Sequence, residues 1–131
     1  MQTPEAVRVL LIEDDPEFAE LYRLRLESDD YQVNWAPDGA TGLAAAATWR
    51  PDLIFLDIRM PQMGGIQVLR ELRSRDETRD VPVVVLSNYS DPDLRRQAGE
   101  LGALEWVVKV DATPAGLSDR IARWTNAQAA E

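Results

Sequence analysis

Apolar residues in this chain fall into two alternating patterns, short runs and stripes that recur every three or four positions. The runs are Val7 to Ile12 (VRVLLI), Leu53 to Leu56 (LIFL), Val81 to Leu86 (VPVVVL) and Leu104 to Val108 (LEWVV). Such runs predict strands buried on both faces, as in a parallel sheet covered by helices. Tyr31 to Ala36 (YQVNWA) alternates instead, which predicts an edge strand with one less buried face. Between the runs, helical spacing gives five buried stripes. They are Phe18, Leu21, Tyr22 and Leu26; then Ala40, Leu43, Ala44 and Ala47; then Gly65, Val68, Leu69 and Leu72; then Leu94, Ala98 and Leu101; and last Leu117, Ile121 and Trp124.

Punctuation agrees with this division. Asp15 before Pro16, Asp91 before Pro92 and Thr113 before Pro114 read as N-caps followed by a proline in the first turn. Pro37, Asp38 and Gly39 turn the chain into the second helix, and Gly102 stops the fourth. Arg73 to Asp80 reads as a charged surface loop, and the tail from Ala127 as frayed. Five strands and five helices in strict alternation predict a doubly wound α/β fold, with a parallel sheet, right-handed crossovers and helices on both faces. Ligand chemistry in such a sheet belongs at the carboxyl ends of the strands.

Composition narrows the function. At 131 residues the chain fits one domain with a proper core, and 45% hydrophobic against 28% charged residues is a globular profile. Its net charge of −9 opposes nonspecific attraction to nucleic acid or anionic lipid. No direct nucleic-acid partner and no membrane are therefore expected. Without Cys or His, a metal site must use oxygen ligands, which favours Mg²⁺, Ca²⁺ or Mn²⁺ over Zn²⁺. The first residues lack a signal-peptide pattern, and no run approaches the roughly 20 apolar residues of a membrane span, so a cytoplasmic location is the default.

The predicted strand ends carry the chemistry. Glu13, Asp14 and Asp15 follow the first strand, Asp57 the third, Ser87 the fourth and Lys109 the fifth. Any one of these alone reads as a cap or surface residue; together they place an acidic cluster, a hydroxyl and an ammonium on one side of the molecule. Neighbouring carboxylates repel by up to about 4 kcal/mol per pair at contact distance in an intermediate dielectric, so the cluster calls for a cation. Asp57 could then attack a phosphoryl group while the cation, Lys109 and Ser87 hold its oxygens. With no His in the chain, that group must come from another protein or a small molecule.

These residues stand in the motifs LLIEDD (Leu10 to Asp15), DLIFLDIRMPQMGG (Asp52 to Gly65), VVVLS (Val83 to Ser87) and VVK (Val107 to Lys109). Over roughly residues 6 to 126 the chain resembles a receiver domain of the two-component response-regulator family. That resemblance implies a flavodoxin-like three-layer sandwich with strand order 2-1-3-4-5, here as a single domain. It further implies Asp57 as phosphoacceptor, Mg²⁺ (or Mn²⁺) bound by Glu13, Asp14, Asp57 and the backbone carbonyl of Arg59, a phosphoryl contact from Lys109, and Ser87 as the switch hydroxyl with Trp106 as the aromatic switch. By the same likeness Asp15 is a cap, and Arg59 and Tyr89 tune dephosphorylation; both are bulky and predict a slow loss of phosphate.

The implied partners are a histidine kinase or histidine phosphotransfer protein upstream. Downstream, a target protein or a second copy would meet the face of the fourth helix, fifth strand and fifth helix, which includes Arg95, Arg96, Glu100, Trp106 and residues near Asp119. On this reading the chain is a signalling domain that catalyses only its own phosphorylation and dephosphorylation. Two departures stand out. Val110 replaces the usual Pro after the lysine, and because a cis bond there costs about 3 kcal/mol, a trans bond and an altered loop are expected. Trp106 replaces the usual Tyr or Phe, and its larger volume works against full burial. A phosphorylation-independent interaction module is the alternative. An Asp-nucleophile phosphatase is a further one, though its second Asp is Arg59 here.

Overall fold

In the computed structural model, which describes the backbone of residues 6–129 and side chains through Thr125, each apolar run is a strand and each stripe a helix. The strands are Arg8–Ile12 (β1), Gln32–Ala36 (β2), Leu53–Asp57 (β3), Val83–Ser87 (β4) and Glu105–Val108 (β5). Between and after them come helices Pro16–Ser28 (α1), Gly39–Trp49 (α2), Gly65–Ser74 (α3), Pro92–Glu100 (α4) and Pro114–Ala129 (α5). All strand pairs are parallel and the order is β2-β1-β3-β4-β5. The tail read as frayed from Ala127 continues helix α5 through Ala129; residues 1–5 and 130–131 lie outside the described residues.

Alternate residues of the central strands feed two cores. Leu10, Ile12, Ile54, Leu56, Val83 and Val85 pack against α2, α3 and α4. Val9, Leu11, Phe55, Val84 and Leu86 pack against Tyr22 and Leu26 of α1 and Leu117, Ile121 and Trp124 of α5. Every residue of β3 and β4 is buried, as a strand covered on both faces requires. The partial exposure of β2 follows from its edge position. Local capping follows the sequence: Asp15 accepts from Glu17 N and Phe18 N, Asp91 from Asp93 N and Leu94 N, and Thr113 Oγ1 from Gly116 N.

Two stripes are rotated from expectation. On α1 the buried positions are Ala19, Tyr22 and Leu26, whereas Leu21 is 57% exposed beside an exposed Leu24. Ala19 is small enough to let that face approach the sheet, and the larger Leu21 is carried outward. On α2 the inward face is Gly39, Gly42, Leu43 and Ala46, while Ala40 and Ala44 face solvent. Gly42 sets this rotation, because a Cβ there would lie 2.6 Å from Ile12 Cδ1.

The segment after α3 is also less loop-like than its charge suggests. Arg73 is half-buried, and its guanidinium donates to the carbonyls of Leu101, Arg79, Val81 and Gly102. Buried Thr78 donates through Oγ1 to Leu72 O at 2.7 Å. Beyond β5, no peptide bond is cis among the described residues, as expected for Val110, and Lys109–Asp111 forms one 3₁₀ turn. Tyr22 closes that loop from α1 by donating its hydroxyl to Ala112 O. Among the described residues no helix is long and apolar enough to cross a membrane.

Close approach at the head of α3 fixes the β3 end. A Cβ on Gly65 would meet Asp57 O at 2.4 Å and Ile58 Cα at 2.7 Å, both backbone atoms that cannot rotate away. By contrast, a Cβ on Gly99 in α4 would meet nothing within 4 Å. Gly65→Ala should therefore cost about 1–3 kcal/mol by overpacking, whereas Gly99→Ala should add up to about 1 kcal/mol. Urea unfolding of the two variants checks this; equal effects would show that the α3–β3 contact is not tight.

Candidate functional site

Register brings the acids together. Ile12 of β1 lies opposite Leu56 of β3, so Glu13 and Asp57 emerge side by side from adjacent strands, and Asp57 in turn lies opposite Leu86, one residue before Ser87. Glu13 and Asp57 are buried and Asp14 is the most open of the three. One carboxylate oxygen from each lies within 4.8 Å of those of the others.

Glu13 is held on all sides. Its N–H donates to Ala36 O (3.0 Å), its carbonyl accepts from the Trp35 indole (2.7 Å), and Oε2 accepts from Asp15 N (3.1 Å). Oε1 forms a buried ion pair with Lys109 Nζ at 2.6 Å. Lys109 reaches Asp57 Oδ2 at 3.7 Å and lies 4.4 Å above the Phe18 ring, a cation–π contact that fixes the ammonium over the cluster.

Three carboxylates thus face one ammonium. Burial foremost, then the Glu13 charge and the Asp14 carboxyl, push Asp57 from 3.8 up to about 8, and Lys109 only partly offsets this. Three carboxylates facing a single ammonium form an all-oxygen cluster that can hold a hard divalent cation, which would supply the missing positive charge.

The remaining predicted residues form a second layer. Ser87 is buried and its Oγ accepts from Tyr89 N at 3.2 Å. The carbonyl of the same Tyr89 accepts from the Trp106 indole at 3.1 Å, and Trp106 is only 8% exposed. The expectation that a larger ring would resist burial is corrected: the small Ala98 on α4 leaves room for the indole, and Tyr89 O satisfies its N–H. Outside, the Arg59 guanidinium lies 5.1 Å from the Tyr89 ring and 3.8 Å from Asp91 Oδ2. Arg59 N approaches Asp57 Oδ1 at 3.4 Å.

Three participants were not read from the sequence in these roles. Phe18 was assigned only to a helix stripe, yet it supports Lys109; Asp91 was read only as a cap, yet it also pairs with Arg59; and Trp35 was read as an edge-strand residue. Each role depends on which loops meet, and spacing along the chain gives no sign of it.

The raised Asp57 pKa predicts a pH dependence. The folded state keeps a proton that the unfolded state releases between about pH 4 and pH 8, so this contribution to stability is complete below about 4 and lost as pH rises through about 8. In chelator, the stability of the wild type relative to Asp57→Asn should therefore fall across that window, and millimolar Mg²⁺ should reduce the fall. A difference that stays flat with pH in chelator would show that burial and the neighbouring acids do not disfavour the Asp57 anion.

Comparison with known proteins identifies the family. A model of the family described as response regulator receiver domain matches residues 9–121. The DNA-binding dual master transcriptional regulator RpaA of Synechocystis sp. is 36% identical over 102 residues, covering 78% of this chain and 42% of RpaA. The chain spans less than half the length of the curated relatives it matches. One of these relatives is a DNA-binding regulator, so the expectation of no nucleic-acid partner is not supported. Among solved structures, chemotaxis protein CheY4 of Vibrio cholerae has a TM-score of 0.85 at 27% identity, covering 92% of this chain and 99% of that one. The receiver domain of sensor histidine kinase PA1611 from Pseudomonas aeruginosa, solved with a magnesium ion in its active-site cleft, has a TM-score of 0.83 at 27% identity, covering 93% and 99%. With a family match over most of its length and the same five-stranded fold, the chain belongs to the response regulator receiver domain family.

Proposed function

We propose that this receiver takes a phosphoryl group on Asp57 from a phosphohistidine of a partner histidine kinase or histidine phosphotransfer protein, in a Mg²⁺-dependent reaction. The observation that carries the reading is the burial of Asp57 among Glu13, Asp14 and Lys109 at the end of a central strand. Glu13, Asp14, Asp57 and the Arg59 main-chain carbonyl would hold Mg²⁺, or Mn²⁺ in its place, which when bound neutralises the carboxylates and the incoming phosphoryl oxygens.

The chain's own residues do the rest. An Asp57 carboxylate oxygen forms the new O–P bond as the P–N bond to the donor imidazole breaks; the bonding pair stays on the imidazole nitrogen, which takes a proton from solvent. Lys109, fixed between Glu13 Oε1 and the Phe18 ring, supplies positive charge beside the acceptor without having to reorganise. Ser87 is near enough in register to donate to a phosphoryl oxygen. Its Oγ accepts from Tyr89 N, which leaves the hydroxyl proton free to donate; a rotation of Ser87 toward the phosphoryl group would carry that bond with it, and Tyr89 also anchors the Trp106 indole.

That shared residue supports a switch. Phosphorylation biases Ser87, the Tyr89 peptide and Trp106 toward a second arrangement, and so alters the α4-β5-α5 face. A downstream protein or a second copy would read the change through Arg95, Arg96 and Glu100 of α4 and the surface near Asp119. The stacked Arg59 and Tyr89 side chains form an outer cover that would obstruct water and lengthen the life of the phosphoryl group.

Acetyl phosphate with Mg²⁺ tests this reading. The wild type should gain one phosphoryl group and Asp57→Asn none, with mass spectrometry as the readout. Phosphoryl lifetime should shorten severalfold in Tyr89→Ala. Undiminished labelling of Asp57→Asn would overturn the acceptor assignment, and an unchanged lifetime would remove Tyr89 from its role.

A further inference from the structure

The end of the first strand has a gap in its ladder that a side chain fills. In a parallel pair each residue donates to one neighbour and accepts from the residue two further along. Glu13 donates to Ala36 O at 3.0 Å, continuing the β1–β2 ladder one step beyond Ile12. The matching donor to Glu13 O would be Asp38 N, but after Pro37 the chain has turned, and Asp38 caps α2 by accepting from Thr41 N. Trp35 Nε1 takes that place, 2.7 Å from Glu13 O.

From this geometry we infer that Trp35 is a positioning residue for the acidic cluster. Its indole packs beside the α1 core from the edge strand and reaches over the end of β1, so that its N–H fixes the Glu13–Asp14 peptide plane. Asp14 follows directly from that peptide and is the most open of the three acids. Glu13 is additionally held through Asp15 N and Lys109. Asp14 lacks such burial, so the direction of its carboxylate depends on how firmly the preceding peptide is held. Trp35 thus acts on a cation through the backbone and touches neither the cation nor Asp57.

The inference rests on the divalent-cation reading of Glu13, Asp14 and Asp57. Trp35→Phe keeps an aromatic ring against α1 while deleting the donor and part of the ring volume, and Trp35→His returns a ring N–H. Partners that orient metal ligands typically account for about tenfold or more in affinity. Mg²⁺ binding measured calorimetrically should therefore weaken by about tenfold in Trp35→Phe, with partial recovery in Trp35→His. The thermal midpoint of Trp35→Phe in chelator should fall by only about 5 °C, the loss of one hydrogen bond to the carbonyl of buried Glu13. Equal Mg²⁺ affinity in the wild type and Trp35→Phe would overturn the inference. So would a weakening matched by an equal loss of stability in chelator, which would make Trp35 a packing residue only. If instead the wild type itself binds no Mg²⁺, the cation reading fails first.

Discussion

Three carboxylates at the dry end of a parallel sheet, balanced by a single ammonium, are the constraint on which this structure turns. Glu13 and Asp57 are buried because β1 and β3 end in register in the middle of the sheet, and Asp14 is drawn in beside them. Lys109 meets Glu13 closely and Asp57 at longer range, so Asp57, whose anion is disfavoured first by burial and then by the Glu13 charge, is only partly compensated. A carboxylate that burial disfavours as an anion is ready to be compensated by a cation, or to lose its charge to a covalent bond.

The surrounding fold makes that frustration tolerable by leaving the groups little freedom. Gly65 brings α3 against the Asp57 carbonyl, Phe18 carries Lys109, and Trp35 with Ala36 holds the backbone of Glu13. Most of these supports come from the apolar layers that also build the core, so the site is as rigid as the sheet beneath it. The looser elements are on the outside, in the Arg59, Tyr89 and Asp91 contacts that join the loops after β3 and β4. Ser87 and Trp106 share Tyr89 between them, which links the rigid site to the looser surface.

Much of this was legible in the sequence. Runs such as LIFL and VVVL announced central strands, and the acids, hydroxyl and lysine at their ends announced the site. What escaped depends on pairings that spacing does not encode. The inward face of α2 was misplaced because Gly42, which carries no hydrophobic signal, sets the helix against Ile12. Leu21 reads as core by periodicity, which counts apolar residues without asking whether the smaller Ala19 fills the same face. Trp106 was expected to resist burial because its volume was visible, but the room left by Ala98 and the acceptor on Tyr89 were not.

The account stands on the repulsion within the acidic cluster, and a stability comparison of wild type and Asp14→Asn tests that most directly. Removing one of the three charges should raise the free energy of unfolding in chelator, because less like charge is confined at the end of the sheet. The same substitution should abolish most of the stabilisation that Mg²⁺ gives the wild type, so that the order of stability reverses when the cation is added. An Asp14→Asn protein that is no more stable than the wild type in chelator, or that gains as much from Mg²⁺, would contradict the account.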